Sequence, residues 1–209
     1  MMSNRTIEQM IEYLNGRIDI QPPRAPRPKR DYVAEARDYM ASKGIDRIPP
    51  AWPKIMAAMK EDTMPLKKGW LLYGGTGTGK TTRARLASEF AGIEMVTARH
   101  IFDELLSMPF HEASRIGTLT PSRRLRGSDL IIDDLGTEPQ TATIYGNVRA
   151  PIVELLEERH ALWPNIRTYI TTNLSPAEIH ERYGERVASR LEEMCARIRL
   201  DGEDRRRNK

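Results

Sequence analysis

Gly74-Gly75-Thr76-Gly77-Thr78-Gly79-Lys80-Thr81 is the stretch that decides the fold. It fits G-x-x-x-x-G-K-[ST] without a gap. Several backbone N–H groups must converge on one point to hold phosphate oxygens, and side chains would block that approach. Gly74, Gly75, Gly77 and Gly79 leave the approach open. The loop then opens a helix whose first turn carries partial positive charge. Lys80 has the length to reach β- and γ-phosphates, and the Thr81 hydroxyl is a ligand for Mg²⁺. Gly75, Thr76, Gly77, Thr78, Gly79, Lys80, Thr81 and Thr82 are therefore the candidate ATP-binding residues. The competing reading is a plain glycine turn between a strand and a helix.

The flanks fit the first reading. Trp70 to Tyr73 is a short apolar run, as a buried parallel strand requires. Thr81 to Phe90 reads as a helix with Ala84, Leu86, Ala87 and Phe90 inward. Farther on, Asp129-Leu130-Ile131-Ile132-Asp133-Asp134 describes a buried strand that delivers two carboxylates at its C-terminal end. Ligands bind at that end of open α/β sheets. Asp133 is the candidate Mg²⁺ ligand together with Thr81, and Asp134 is the candidate group that orients or deprotonates an attacking water. Alone, the pair reads equally as an acidic turn; placed after the phosphate loop it gains meaning.

Composition bounds the rest. The chain has 209 residues, enough for one α/β domain with a modest extension. Net charge is +4, from 33 basic and 29 acidic side chains, too mild to mark a nucleic-acid binder by itself. Cys195 is the single cysteine, which excludes an intrachain disulfide and a cysteine-rich zinc site. No apolar run has the length of a membrane span. A soluble, cytoplasmic protein is expected.

Thr6 to Gly16 reads as a helix with a capping box at Thr6-Ile7-Glu8-Gln9 and an apolar stripe of Ile7, Met10, Ile11 and Leu14. It either folds back on the main domain or docks a partner. Residues 1–20 are assigned to this element, and residues 21–30, with four prolines among Arg24, Arg27, Lys29 and Arg30, to an extended linker. Residues 31–204 make the main domain, and 205–209 a basic tail. Asp31 to Lys43 and Pro53 to Lys60 read as helices, the second with Trp52, Ile55, Met56 and Met59 on one side; Gly44 to Trp52 is a candidate cover for a nucleotide base. Glu94 to Thr97 reads as a strand and Arg99 to Ser107 as a helix burying Ile101, Phe102, Leu105 and Leu106. Pro109 to Gly127 is irregular, and its Arg115, Arg123, Arg124 and Arg126 suit a DNA backbone or simply solvent. Thr141 to Leu162 reads as a broken helix whose second part starts at Pro151. Thr168 to Thr172 is a strand, Pro176 begins a capped helix, Glu185 to Ala196 is a further helix, and Arg197 to Leu200 a last strand. This order predicts a doubly wound parallel sheet of about five strands.

Four motifs together resemble one family: Gly74 to Thr81; Leu130-Ile131-Ile132-Asp133-Asp134-Leu135-Gly136; Ile170-Thr171-Thr172-Asn173-Leu174; and Tyr183-Gly184-Glu185-Arg186-Val187-Ala188-Ser189-Arg190-Leu191. From about Gly69 to Arg206 the chain is similar to the AAA+ ATPases of the DnaC-type helicase loaders and the IstB-type transposition helpers. The resemblance implies an α/β P-loop NTPase core with bound ATP and Mg²⁺. It implies that Asn173 aligns the hydrolytic water and that Arg190 reaches the ATP of a neighbouring copy. Arg186, one turn earlier on the same helix face, is the second candidate. A surface ion pair with Glu192 or Glu193 is the plainer role for these arginines. The resemblance further implies self-association into a ring or spiral, single-stranded DNA and a replicative DnaB-type helicase as partners, and ATP hydrolysis coupled to loading that helicase at replication initiation.

The chain departs from the family in two respects. No C-terminal helical lid is evident, and the N-terminal part is one helix and a Pro/Arg linker rather than a zinc module. A reduced loader of a phage or mobile element would fit. The rival reading is a transposition helper with the same core, acting on duplex DNA and a transposase. A small-molecule P-loop kinase is a third reading, against which Asn173 and the Asp133–Asp134 pair argue.

Overall fold

The structure is a computed structural model in which residues 30–45, 49–107, 125, 127–144 and 146–202 are described. The chain divides into two units, Met1–Asp31 and Tyr32–Lys209. The expected helix Thr6 to Gly16, the linker up to residue 29, positions 46–48, most of Pro109 to Gly127 with all four of its arginines, and the tail Arg205 to Lys209 lie outside the described residues.

The elements run α1 (Tyr32–Ser42), α2 (Trp52–Lys60), β1 (Gly69–Tyr73), α3 (Lys80–Ala91), β2 (Glu94–Thr97), α4 (Ala98–Leu106), β3 (Leu130–Leu135), β4 (Ala142–Ile144), β5 (Asn147–Arg149), α5 (Pro151–Leu162), β6 (Thr168–Thr172), α6 (Pro176–Tyr183), α7 (Glu185–Met194) and β7 (Cys195–Arg199). Five strands form one sheet in the order β2-β3-β6-β1-β7, and every pair in it is parallel. The expected doubly wound sheet is therefore present. β7 is the last element among the described residues.

Alternation along the strands builds two cores, one on each sheet face. Trp70 and Leu72 of β1, Ile131 of β3 and Tyr169 of β6 turn toward α1, α2 and α3. Leu71, Leu130, Ile132 and Ile170 turn the other way, onto α4, α5, α6 and α7. A row of rings fills the first core: Trp52 lies 5.7 Å from Trp70, and Trp70 lies 5.2 Å from Tyr169. Trp70 satisfies its indole N–H on the Met59 sulfur at 3.3 Å, so the methionine and tryptophan stripe of α2 is core. In α4, Ile101, Phe102 and Leu105 are buried as expected, but Leu106 is 37% exposed, because it falls beyond the arc that faces the sheet.

The expected break before Pro151 takes a different form. Ala142 to Arg149 is an antiparallel hairpin with Thr143 opposite Val148. The residue types explain it: Thr141, Thr143, Ile144 and Val148 are β-branched, and Gly146 sits at φ +81, where a helix cannot continue. Pro151 then starts α5 at its first helical position. Ser175 caps α6 with the reciprocal Ser175–Glu178 capping box that the sequence spells. Cys195 is buried, and burial pushes its thiol up to about 12, which leaves it without nucleophilic character.

Candidate nucleotide site

The phosphate-type loop emerges from the carboxyl end of β1 and runs into α3 at Lys80. Gly74 has a steric reason to be glycine. Its φ is +136, and a Cβ there would lie 2.3 Å from the carbonyl oxygen of Leu200, the residue that follows β7. Lys80 is 5% exposed and its ammonium lies inside the loop, donating to the carbonyls of Gly74 (2.8 Å) and Gly75 (2.7 Å). Thr78 closes the loop by donating to the Gly75 carbonyl at 3.0 Å. Arg83, buried one turn into α3, donates to the Thr78 carbonyl at 2.7 Å and braces the loop from behind. Thr76 and Thr82 are exposed.

β3 brings the acids to the same edge. Opposite β6, Ile132 pairs with Ile170 and Leu135 with Thr172, so β3 spends one residue more than its partner. The surplus is a β-bulge at Asp133–Asp134, with Asp134 at φ +54. A regular strand would send consecutive carboxylates to opposite faces; the bulge breaks that alternation and re-aims the second acid. Asp133 is 3% exposed and accepts from the Thr81 hydroxyl at 3.2 Å and from the Thr171 hydroxyl at 2.5 Å. The Asp134 amide donates to Thr171 at 2.9 Å.

β6 lies between β3 and β1, so its end is flanked by the acids and by the loop. Thr172 donates to the Leu135 carbonyl at 2.6 Å and accepts from the Leu174 amide at 3.0 Å. These two bonds fix the turn that presents Asn173, which is exposed at the carboxyl edge. In sequence, Thr171 and Thr172 belong to the strand and motif that end at Asn173, with no role of their own assigned. Their hydroxyls are the pins that hold the acid strand to the Asn173 strand, and the run of two threonines before Asn173 was the available signal.

Arg186 and Arg190 lie elsewhere. Both reach the same carboxylate, Glu157 on α5, at 3.2 Å and 2.8 Å. Glu192 and Glu193, the partners in the competing ion-pair reading, are taken instead by Arg197 (2.9 Å) and His160 (2.7 Å). The Arg186 side chain is 72% exposed and that of Arg190 22% exposed, so Arg186 is much the more open to solvent. The structure thus brings together the loop, Thr81, Asp133, Asp134 and Asn173, and pairs the two arginines with Glu157.

The donor set fits a nucleotide with a hard cation. A hydroxyl and a carboxylate oxygen meet at Thr81–Asp133, beside a loop that turns its backbone around an ammonium. Among the described residues, no group of three His, Cys, Asp or Glu side chains gathers to hold a metal without a ligand's oxygens. Mg²⁺ bound chiefly through phosphates and one or two protein oxygens has that character.

No family model matches the chain, and no curated protein matches it. Solved structures do. Domain III of the Thermotoga maritima replication initiation protein DnaA is 16% identical, with a TM-score of 0.51 over 86% of this chain and 70% of that one. A crystal structure of DnaI is 19% identical at a TM-score of 0.44, covering 86% of this chain and 87% of that chain. One of the DnaC helicase loader is 22% identical at 0.44, covering 71% and 88%. Taken with the strand order β2-β3-β6-β1-β7 and the phosphate loop at the end of β1, the likeness to the DnaA domain places the chain in the P-loop NTPase fold of the AAA+ kind.

Proposed function

We propose that this chain is an ATPase that loads a replicative ring helicase onto single-stranded DNA. The observation that carries the ATPase part of the reading is the Thr81–Asp133 contact at 3.2 Å, made where the phosphate loop and the acid strand converge; the helicase part rests on the motif resemblance. Gly75 to Thr82 would bind the phosphates, with Lys80 on the terminal ones. Thr81 and Asp133 would hold Mg²⁺, whose charge offsets that of the phosphates. Asp134 would hold the proton of the attacking water, and Asn173 would orient that water. Arg190, with Arg186 beside it, would leave Glu157 and reach the phosphates bound by a neighbouring copy, so self-association completes the site. The apolar stripe of residues 7–14 would dock the helicase, and the arginines of 109–127 would contact the DNA backbone. Among the described residues no helix is long and apolar enough to cross a membrane.

The test is co-sedimentation of the protein with a DnaB-type ring helicase and fluorescent DNA, with and without ATP. ATP-dependent helicase capture and a preference for single strands are expected. Capture of duplex DNA with no helicase would instead favour the transposition-helper role. Removing residues 1–20 should abolish helicase capture while leaving nucleotide binding intact. Arg190→Ala is expected to lower turnover by roughly 10³-fold, the scale of a lost arginine finger, with nucleotide affinity unchanged. Mixing it with a Lys80→Ala copy should restore part of the turnover only if the arginine acts across subunits.

A further inference from the structure

Glu138 has no role in the chemistry above, yet it is buried and fully engaged. It is 2% exposed, in the segment that leaves the acid strand. One carboxylate oxygen accepts the Gly136 amide at 2.9 Å. The other accepts the Tyr183 hydroxyl. The Arg182 guanidinium donates to the Glu138 carbonyl and lies 3.8 Å from its carboxylate. Gln140 adds a bond to the Arg182 carbonyl at 3.2 Å. Burial and the neighbouring carboxylate push the Tyr183 hydroxyl above its ordinary range, so it remains a proton donor to Glu138.

These bonds join two segments that are distant in sequence. Gly136 belongs to the turn that follows Asp134, a turn closed by Thr137 donating to the Asp134 carbonyl at 2.9 Å. A Cβ on Gly136 would lie 2.7 Å from Leu174, the residue after Asn173, so this turn is packed against the Asn173 turn as well. Tyr183 is the last residue of α6, and Gly184, at φ +85, leads directly into α7 with Arg186 and Arg190. A displacement of the acid turn therefore pulls on the start of the arginine helix, and the reverse.

We infer that Glu138 is a positioning residue: a buried strut that fixes the Asp133–Asp134 turn of one protomer to the end of α6, which leads through Gly184 into the helix whose arginines serve its neighbour. It touches no reacting atom. Its carboxylate holds the Gly136 amide on one side and Tyr183 on the other, so the state of a protomer's own site is transmitted to the arginines it offers. This inference rests on the ATPase reading for its catalytic consequence, and on the hydrogen bonds alone for the mechanical link.

The experiment compares Glu138→Ala, Glu138→Gln and wild type by steady-state ATP hydrolysis, nucleotide titration and amide hydrogen exchange. Glutamine can keep one acceptor for Gly136 and place its amide group against the Tyr183 oxygen, so it preserves the link without the charge. Alanine cuts it. Glu138→Ala should lower kcat by roughly 10- to 100-fold, the scale of a small misplacement of catalytic groups, with KM and nucleotide affinity within about twofold of wild type. Glu138→Gln should recover most of that loss. Exchange should rise in Glu138→Ala at residues 134–140 and 182–190 together. A proportional loss of affinity and turnover, equal damage in both variants, or faster exchange confined to 134–140 would overturn the strut. A wild-type chain that binds no nucleotide would sink the ATPase reading, and the exchange pattern would still decide the strut.

Discussion

Arg159→Leu should destabilise the protein by about 3–5 kcal/mol, the cost of removing a buried charged group from its partners. Arg159 is fully buried on α5 and donates to the carbonyls of Leu125, Ser128 and Arg167 and to the Thr168 hydroxyl. It ties Leu125 and Ser128, ahead of β3, to Arg167 and Thr168 at the start of β6. Leucine would strip the buried Leu125 carbonyl and Thr168 hydroxyl of this donor, while the Arg167 carbonyl keeps the Leu130 amide at 3.2 Å. Burial lowers the guanidinium to about 10, still well above neutral pH, so the donor set is complete under ordinary conditions. Against a total stability of 5–15 kcal/mol for a typical domain, the loss is a large fraction. The thermal midpoint should fall by roughly 10 °C or more. Arg159→Lys should recover little, because one ammonium cannot span the carbonyls that the guanidinium fork reaches. Calorimetric unfolding of the two variants checks both statements, and a midpoint within about 2 °C of wild type for Arg159→Leu would refute them.

Asp134→Asn should reduce ATP hydrolysis by roughly 10²- to 10⁴-fold, the range of a lost general base, while nucleotide binding stays near wild type. The substitution is nearly isosteric. The backbone features that set the bulge persist, since the Asp134 amide bonds Thr171 at 2.9 Å and its carbonyl accepts Thr137 at 2.9 Å whatever the side chain. Asparagine also tolerates the φ of +54 found here. Turnover and affinity should therefore separate. Asp133→Asn should behave differently. It weakens the oxygen pair with Thr81, so its loss should appear as a higher Mg²⁺ requirement. Assays across Mg²⁺ concentrations, with binding measured in parallel, distinguish the two acids.

Much of the site was legible because its chemistry needs contiguous residues. The loop Gly74 to Thr81 and the pair Asp133–Asp134 each sit within one short stretch, and an apolar strand precedes each. The strands at Glu94–Thr97 and Thr168–Thr172 were legible for a related reason: β-branched and apolar runs are bounded by helix starts. What escaped depends on pairs far apart in the chain. Thr171 meets Asp133 only after β6 inserts beside β3. Glu138 meets Tyr183 across 45 positions, and Arg159 meets Leu125 across 34. Neither contact has a periodic trace. The bulge at Asp134 was invisible because register belongs to two strands together. The hairpin at Ala142–Arg149 was misread as helix because local polarity suited either, and Gly146 decided against the helix. The Glu157 partner of Arg186 and Arg190 escapes as the other distant pairs do: sequence offers only the neighbours Glu192 and Glu193 for an ion pair, and α5 carries Glu157 to them through space.

The account turns on a nucleoside triphosphate held by Lys80 and the Thr81–Asp133 pair at the carboxyl edge of the sheet. Isothermal titration of the folded protein with a non-hydrolysable ATP analogue and Mg²⁺ tests this most directly, with Lys80→Ala as the paired variant. One site per chain in the micromolar range, weakened by EDTA and lost in Lys80→Ala, is the predicted result. No heat of binding from a protein that remains folded, or equal binding by Lys80→Ala, would contradict it.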